Sequence, residues 1–508
     1  MKKLVALLLC LVMCVSMFVA CGGDDEPATG DTTAPGTTQE ANATTGPVVT
    51  TDPILDTDPK DTTTQRVDVY PGVTKTNWGG YQFKILHSSL ENFHTDFQCE
   101  TPNGNVLNDQ VYARNTMVEN DLGIEIYVDT YGGNIANSPL AAQYQAGWTE
   151  GDYNFFGGGG RSILSYTTKG YMADLGAYDQ INIYNDYWEQ GYVDQLMIGD
   201  SIYAIIGDIS VANQISIQVL CFNKNLFQEN GLDLPYNLVK TYEWNLDALL
   251  GYMEGFAVDY DKDGYDWDKD RFAISGWGSE ASYGIFYASG FRFANNDGET
   301  LALDFDREFL DDAIDATIDI WSSAGAYINM SSSAAQHHMP HEIFSTGRGL
   351  FCDIACAKIG NFFSEMEHDY GILPEPMMTP DQGKYYSYAA STYPAFCVPA
   401  TDPNAERTGN ILEALCTASS DVVIPKMLEI VTKIQHARDE ESAAMLDIAL
   451  SNKIYDAAHW LQLQGIYDLP RQMIGEGQNL TGSFLQRFEE KARKGLDEYV
   501  SMIGNIEK

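Results

Sequence analysis

Apolar and polar positions divide the 508-residue chain into three textures. Leu4 to Ala20 is a nearly unbroken apolar run behind Lys2 and Lys3, and it reads as a secretory signal rather than a mature membrane span. From Gly22 to about Arg66 the chain is dominated by Thr, Asp, Pro, Gly and Ala. Such a stretch buries too little apolar surface to offset the entropy of ordering, so a flexible, extended spacer is expected. Beyond about Trp78, strand-like and helix-like periods alternate. YQFKILHSS (81–89) predicts a strand. LNDQVYARNTMVENDLG (107–123) predicts an amphipathic helix with Val111, Met117, Val118 and Leu122 inward, ended by Gly123 in a left-handed cap. IEIYVDTYG predicts the next strand, YNFFGGG a third, SILSYTTKGYM a helix, and SIYAIIGD a strand entering ISIQVLCFN. This rhythm predicts α/β lobes with central sheets, and no repeat of fixed period is visible.

The body beyond the spacer is roughly 430 residues, more than one core usually serves, which predicts two lobes. The whole chain carries a charge of −42, from 72 acidic against 30 basic residues. Long-range repulsion therefore disfavours nucleic acid, anionic headgroups and polyanionic substrates as main partners. No second apolar stretch reaches the ~18 residues a membrane helix needs. Of nine cysteines, six lie in the body: Cys99, Cys221, Cys352, Cys356, Cys397 and Cys416. Strings such as VLCFN and AFCVPA read as buried strands, so free buried thiols are expected. The Cys352 and Cys356 spacing is weak evidence for a metal site. Pro340 interrupts the HHMPH cluster of His337, His338 and His341, which reads as a polar loop or helix start.

Two resemblances sharpen this picture. Phe18-Val19-Ala20-Cys21-Gly22 resembles a bacterial lipoprotein signal, although Phe18 stands where Leu is preferred. It implies a signal peptide over 1–20, Cys21 as the lipidated N-terminus, and residues 21–75 as a tether. The mature protein would then sit on the outer face of the cell membrane, held by lipid alone. DYNFFGGGG (152–160), CFNKNLFQENGLDLPYNLVKTYEWNLDALL (221–250), FSTGRGLF (344–351) and YGILPEP (370–376) resemble, in this order, segments of bacterial extracellular solute-binding proteins of the sugar-binding type. That resemblance implies a two-lobed periplasmic-binding-protein-like α/β fold with several hinge-crossing strands. Lobe 1 would comprise 76–212 and 389–425, and lobe 2 would comprise 213–388 and 426–508. It also implies a monomer that traps a small carbohydrate between the lobes and delivers it to the permease subunits of an ABC importer, without catalysis.

Open α/β sheets bind ligands at the carboxyl ends of strands. Ser88 follows the first strand. Gly157 to Ser162, with Gly160 and Arg161, follows the YNFF strand, and its glycines would let backbone approach a ligand while Ser162 caps the next helix. Asp353 is placed after the RGLFC strand. A pyranose has an apolar face that stacks on aromatic rings, which nominates Trp277 and Tyr283 in a Gly/Ser-rich loop, with Trp188 and Tyr386 as further candidates. Core packing or a hinge contact is the competing reading for each aromatic.

DYDKDGYDWDKD (259–270) fits an EF-hand-type loop template. Asp259, Asp261 and Asp263 take the first, third and fifth positions, Gly264 permits the turn, Tyr265 lends a carbonyl and Asp270 closes the loop. Closure with Asp resembles dockerin-type loops, and RFAISGW after it reads as a strand. The expectation is one structural Ca2+, since clustered carboxylates repel one another without a cation. Two other readings stay open, an extracellular glycoside hydrolase and a calcium-dependent surface carbohydrate-binding or adhesin protein. With 72 acidic residues, carboxylate pairs arise by chance. No GxSxG, Cys/His nucleophile setting or Walker-type phosphate loop appears.

Overall fold

The computed structural model describes residues 73–89, 96–97, 101–331, 336, 338–430 and 439–505. The signal peptide, most of the tether with Cys21, and also Cys99 and His337, lie outside the described residues. The strands, in chain order, are β1 (Tyr81–Ser88), β2 (Ile124–Tyr131), β3 (Phe155–Gly159), β4 (Gln218–Asn223), β5 (Phe272–Trp277), β6 (Ala294–Asn296), β7 (Leu301–Leu303), β8 (Ala326–Asn329), β9 (Gly349–Ala355), β10 (Tyr370–Leu373), β11 (Ser387–Tyr388), β12 (Pro394–Cys397) and β13 (Lys453–Ile454). Helices around the sheets include α1 (Val106–Leu122), α2 (Gly160–Leu164), α3 (Leu246–Met253), α4 (Gly278–Ala288), α5 (Met339–Ser345), α6 (Ala405–Ala418), α7 (Ala457–Trp460) and α8 (Leu469–Glu476).

The two lobes are organised by two sheets. The first has strand order β12-β3-β1-β2, the second β10-β4-β9-β5-β8. β1 pairs parallel with β2 and β3, while β12 runs antiparallel to β3. In the second sheet β5 is parallel to β8 and β9, and β4 lies antiparallel between β9 and β10. Both sheets carry helices, and in the second sheet the central strands β4 and β9 are buried throughout. The chain enters the second sheet at β4, returns at β12 and leaves again after α6. The extended crossing segments pair with one another, β11 parallel with β13 and Ile217 with Ala389.

Helix α1 forms as its sequence predicts. Asn105 caps it through side-chain bonds to the Leu107 and Asn108 N–H groups, and Gly123 ends it at φ 60°, ψ 49°. Val111, Val118 and Leu122 are buried, and so is Arg114, which the periodicity does not reveal. Arg114 donates to Asp96 O at 2.7 Å, Ile209 O at 3.3 Å and Ser419 Oγ at 2.9 Å. It thereby joins the segment leading into β4 to the π-helical turn Ser419–Val423 after α6. Burial drives the Asp96 carboxyl up to about 7 and Arg114 down to about 10, each offset in part by the other's charge.

Several expected elements differ. SIYAIIGD forms no strand. It makes isolated bridges, such as Ile205 to Phe396, and a short helix Val211–Gln214 intervenes before β4. The helix expected over 162–172 stops at Leu164, followed by a 3-10 turn at Thr167–Lys169. Asp353 lies inside β9 rather than after it, and Tyr283 lies on α4 rather than in a loop. The five described cysteines are free and buried, four of them in or beside strands and Cys416 on α6. No helix among the described residues is long and apolar enough to cross a membrane.

Candidate functional site

The carboxyl ends of β3, β5 and β9 meet the crossing segment 387–393 and α7. Strand β3 ends in glycines because the surroundings leave no room for side chains. A Cβ at Gly157 would strike the Phe396 ring, one at Gly158 the Tyr131 hydroxyl, and one at Gly160 the Trp460 ring. The glycine run therefore serves close packing within the strand, rather than backbone approach to a ligand. Ser162 does not cap α2; its hydroxyl accepts from Ile135 N–H at 3.1 Å. At the start of α2, Gly160 N–H donates to Tyr393 O at 2.8 Å and Arg161 N–H to Ser391 O at 3.0 Å. This docks the helix on the crossing segment and leaves the Arg161 side chain exposed.

Trp277, the last residue of β5, is half-buried, with Lys358 Nζ 4.9 Å from its ring centroid and its Nε1 donating to Ser331 O at 3.4 Å. One turn into α4, Glu280 forms an ion pair with Lys358 at 2.6 Å. The other Glu280 oxygen is buried without a hydrogen-bond partner. Tyr393 OH and Trp460 Nε1 are also buried without partners. Glu280 and Arg161 reach this cluster electrostatically. Burial, reinforced by the Glu280 charge, pushes the Tyr393 hydroxyl well above its usual range. Burial drives His459 down to about 4, with Arg161 adding to the effect. Neutral His459 accepts or donates at Nε2 to the Tyr388 hydroxyl, 2.8 Å away. The seam between α2, α4 and α7 thus offers a ring face, a guanidinium, an ion pair and several unfilled hydrogen-bonding atoms.

Other expected ligand residues go elsewhere. Ser88 is buried, and its hydroxyl donates to Gly133 O at 2.9 Å. Trp188 has no exposed surface; its Nε1 donates to the buried Glu413 at 3.1 Å. Tyr283 is buried and donates to Asp468 Oδ1 at 2.7 Å, a partner that Arg471 holds on α8. Tyr386 packs its ring over Gly290, where a Cβ would approach within 2.7 Å. Asp353 is sealed beneath α4. One of its oxygens accepts from Gln218 Nε2 at 2.7 Å and the other has no partner. Burial pushes its carboxyl up to about 8, Gln218 opposing and the Glu280 charge adding. Glu375, also fully buried with both oxygens unpartnered, is pushed well above its usual range by burial and by the Asp353 charge. Sequence spacing did not single out Glu280, Lys358, Tyr393, His459 or Trp460. The GWGSE turn carries Glu280, the CAKIG segment Lys358, the STYPAF segment Tyr393 and the AAHW segment His459 and Trp460, none with a recognisable pattern.

In the acidic loop, Asp259, Asp261 and Asp263 each offer an oxygen within 4.8 Å of the others. The Asp259 carboxylate accepts from the Lys262 and Gly264 N–H groups, at 2.6 and 2.9 Å, and the turn uses φ 63° at Lys262 and φ 110° at Gly264. Asp270 does not join them. It is buried, and its two oxygens accept from Tyr260 and Asp266 N–H at 3.0 and 2.8 Å. The Tyr265 side chain is exposed, its ring 5.6 Å from Phe272.

No protein-family profile and no curated protein sequence matches the chain. Solved structures do match its fold. An ABC substrate-binding protein from Listeria monocytogenes, in complex with cycloalternan, shares 13% identity over 84% of this chain and 99% of its own, with a TM-score of 0.51. UspC from M. tuberculosis matches at 11% identity over 82% of this chain and 100% of its own, TM-score 0.53. The galacto-N-biose-/lacto-N-biose I-binding protein of the Bifidobacterium longum ABC transporter, in complex with lacto-N-biose, matches at 13% identity over 84% and 98%, TM-score 0.52. The chain therefore has the two-lobed α/β fold found in ABC sugar-binding proteins, and at these identities the likeness is one of fold.

Proposed function

We propose that this chain is an extracellular solute-binding protein that captures a carbohydrate between its lobes and passes it to the permease subunits of an ABC importer. The observation that carries this reading is the seam at the carboxyl ends of β3 and β5. There Trp277 offers a ring face beside Lys358, Glu280 and Arg161, and the Tyr393 and Trp460 polar atoms await partners that sugar hydroxyls would supply. The structural neighbours solved with cycloalternan and lacto-N-biose support a saccharide as the ligand class. A binding role is favoured over hydrolysis because Glu280 is held in an ion pair, which suits a fixed acceptor better than a proton donor. Screening purified protein against a glycan panel by thermal shift tests the reading, since a ligand bound only by the folded state raises its melting temperature. A flat response to every saccharide would count against it.

Two further assignments accompany this function. The Asp259, Asp261 and Asp263 oxygens, with the loop already turned by the Asp259 hydrogen bonds, suit one structural Ca2+. Cys21 is the lipidated residue that holds the protein, as a monomer, on the outer face of the membrane. Replacing Cys21 by Ala releases the protein into the medium on this account, and unchanged membrane association would refute it.

A further inference from the structure

A cavity of about 620 Å³ lies at the amino end of β1, the opposite end from the seam described above. That volume is within the range of small-molecule sites, about 300 to 1,000 Å³. Two of its walls are aromatic, Tyr81 and Trp148, both half-buried. The Tyr81 ring is fixed from two sides. Asn154 Nδ2 donates to its hydroxyl at 2.8 Å, and the Arg407 guanidinium lies 3.5 Å from the ring centroid. Arg407 Nε is buried there with no hydrogen-bond partner.

The charged lining is balanced. Lys84 and Arg407 face Glu150 and Asp152, so within a chain of charge −42 this cavity carries as many cations as carboxylates. Several of these groups are held by backbone: Lys84 Nζ donates to Gly151 O at 3.2 Å, and one Asp152 oxygen accepts from Thr149 N–H at 2.8 Å. Gln82 and Asn404 complete the lining with amides. A net charge near zero gives no preference for an anionic or cationic ligand. Aromatic faces, planar guanidinium and amide groups, and carboxylates together suit a molecule whose every polar group both donates and accepts and whose body has apolar faces. We infer that this cavity is a second binding site, specific for a neutral saccharide unit and separate from the interlobe seam.

The inference stands on this cavity alone and is tested separately from the primary site. Full-length protein labelled with 5-fluorotryptophan is titrated with maltotetraose and with raffinose and followed by 19F NMR, the Trp148 and Trp277 signals being assigned by Trp148→Phe and Trp277→Phe. The Trp148 signal is expected to shift with at least one of these sugars, with the same midpoint in wild type and in Trp277→Ala. Arg407→Gln, at a residue outside the primary site, is expected to weaken that midpoint by about fivefold, equivalent to about 1 kcal/mol. If the Trp148 signal stays unmoved to the solubility limit of both sugars, the second site is refuted. It is equally refuted if inorganic phosphate shifts the signal and the sugars do not, or if Arg407→Gln leaves the midpoint unchanged. A Trp277 signal that stays still while that of Trp148 moves would instead fault the primary site and leave this one standing.

Discussion

The acidic loop at 259–270 and the acidic pair beneath α4 both crowd carboxylates, with opposite consequences. In the loop, Asp261 and Asp263 are exposed, and the hydrogen bond they share pulls one below the usual carboxylate range and lifts the other above it. Water screens the charges that remain, and the open site suits a divalent cation. Beneath α4, Asp353 on β9 and Glu375 just past the end of β10 are both buried away from water. Burial there disfavours the charged form far more than any neighbour can repair, so these groups hold protons. Gly284 belongs to the same arrangement, because a Cβ on α4 would come within 2.9 Å of Asp353 Oδ2. Burial, rather than the number of carboxylates, decides whether such a cluster takes a metal or a proton.

The largest expected effect breaks this comparison from the buried side. The folded-state value of Asp353 is raised to about 8 from 3.8, so its contribution to stability is complete below about pH 4 and is lost as pH rises through about 8. Between those limits each retained proton costs about 1.4 kcal/mol of stability per pH unit, or about 4 kcal/mol over three units. Asp353→Asn and Glu375→Gln, which mimic the protonated forms, should flatten that slope in urea denaturation from pH 5 to pH 8. Variants whose stability falls with pH as steeply as wild type would show that these carboxyls are not the proton carriers.

The exposed side is tested by cation. Calcium at about a hundredfold excess over its dissociation constant should raise the melting temperature by a few degrees, and Asp261→Ala with Asp263→Ala should remove the rise. The same double substitution should leave the pH slope of the buried pair intact. Asp270→Asn separates the two roles of the loop. Since Asp270 accepts two backbone N–H groups and lies outside the grouped oxygens, its loss should lower stability by about 1 to 3 kcal/mol with and without calcium. A penalty seen only with calcium present would return Asp270 to the metal.

Much of the fold could be read along the chain, because local rules set it. The α1 cap at Gly123, the buried faces of α1 and the strand strings around Cys221 and Cys397 all follow from period and turn chemistry. The site could be read only at its strand ends. Arg161 stands just past the end of β3, where strand-end reasoning puts it, whereas Trp277, expected in a loop, is the last residue of β5. Tyr283 is expected in a loop and Trp188 is nominated with core packing as the competing reading; both are buried, each hydrogen-bonded to a carboxylate far along the chain, Asp468 and Glu413. The glycines of β3 had the right position for a ligand turn, but their cause is tertiary: Phe396, Tyr131 and Trp460 come from other strands and helices to fill the space. Glu280, Lys358 and Trp460 escaped notice for the same reason, since their proximity depends on how α4 and α7 meet the crossing segments.

The most direct test of the central claim is isothermal titration of the purified protein with oligosaccharides, on wild type and Trp277→Ala, with product analysis on the same samples. The account predicts saturable binding of at least one saccharide, no cleavage products, and a loss of about 1 to 3 kcal/mol on truncating Trp277, the range for a well-packed aromatic contact. Release of shorter sugars, or binding indifferent to Trp277, would contradict it.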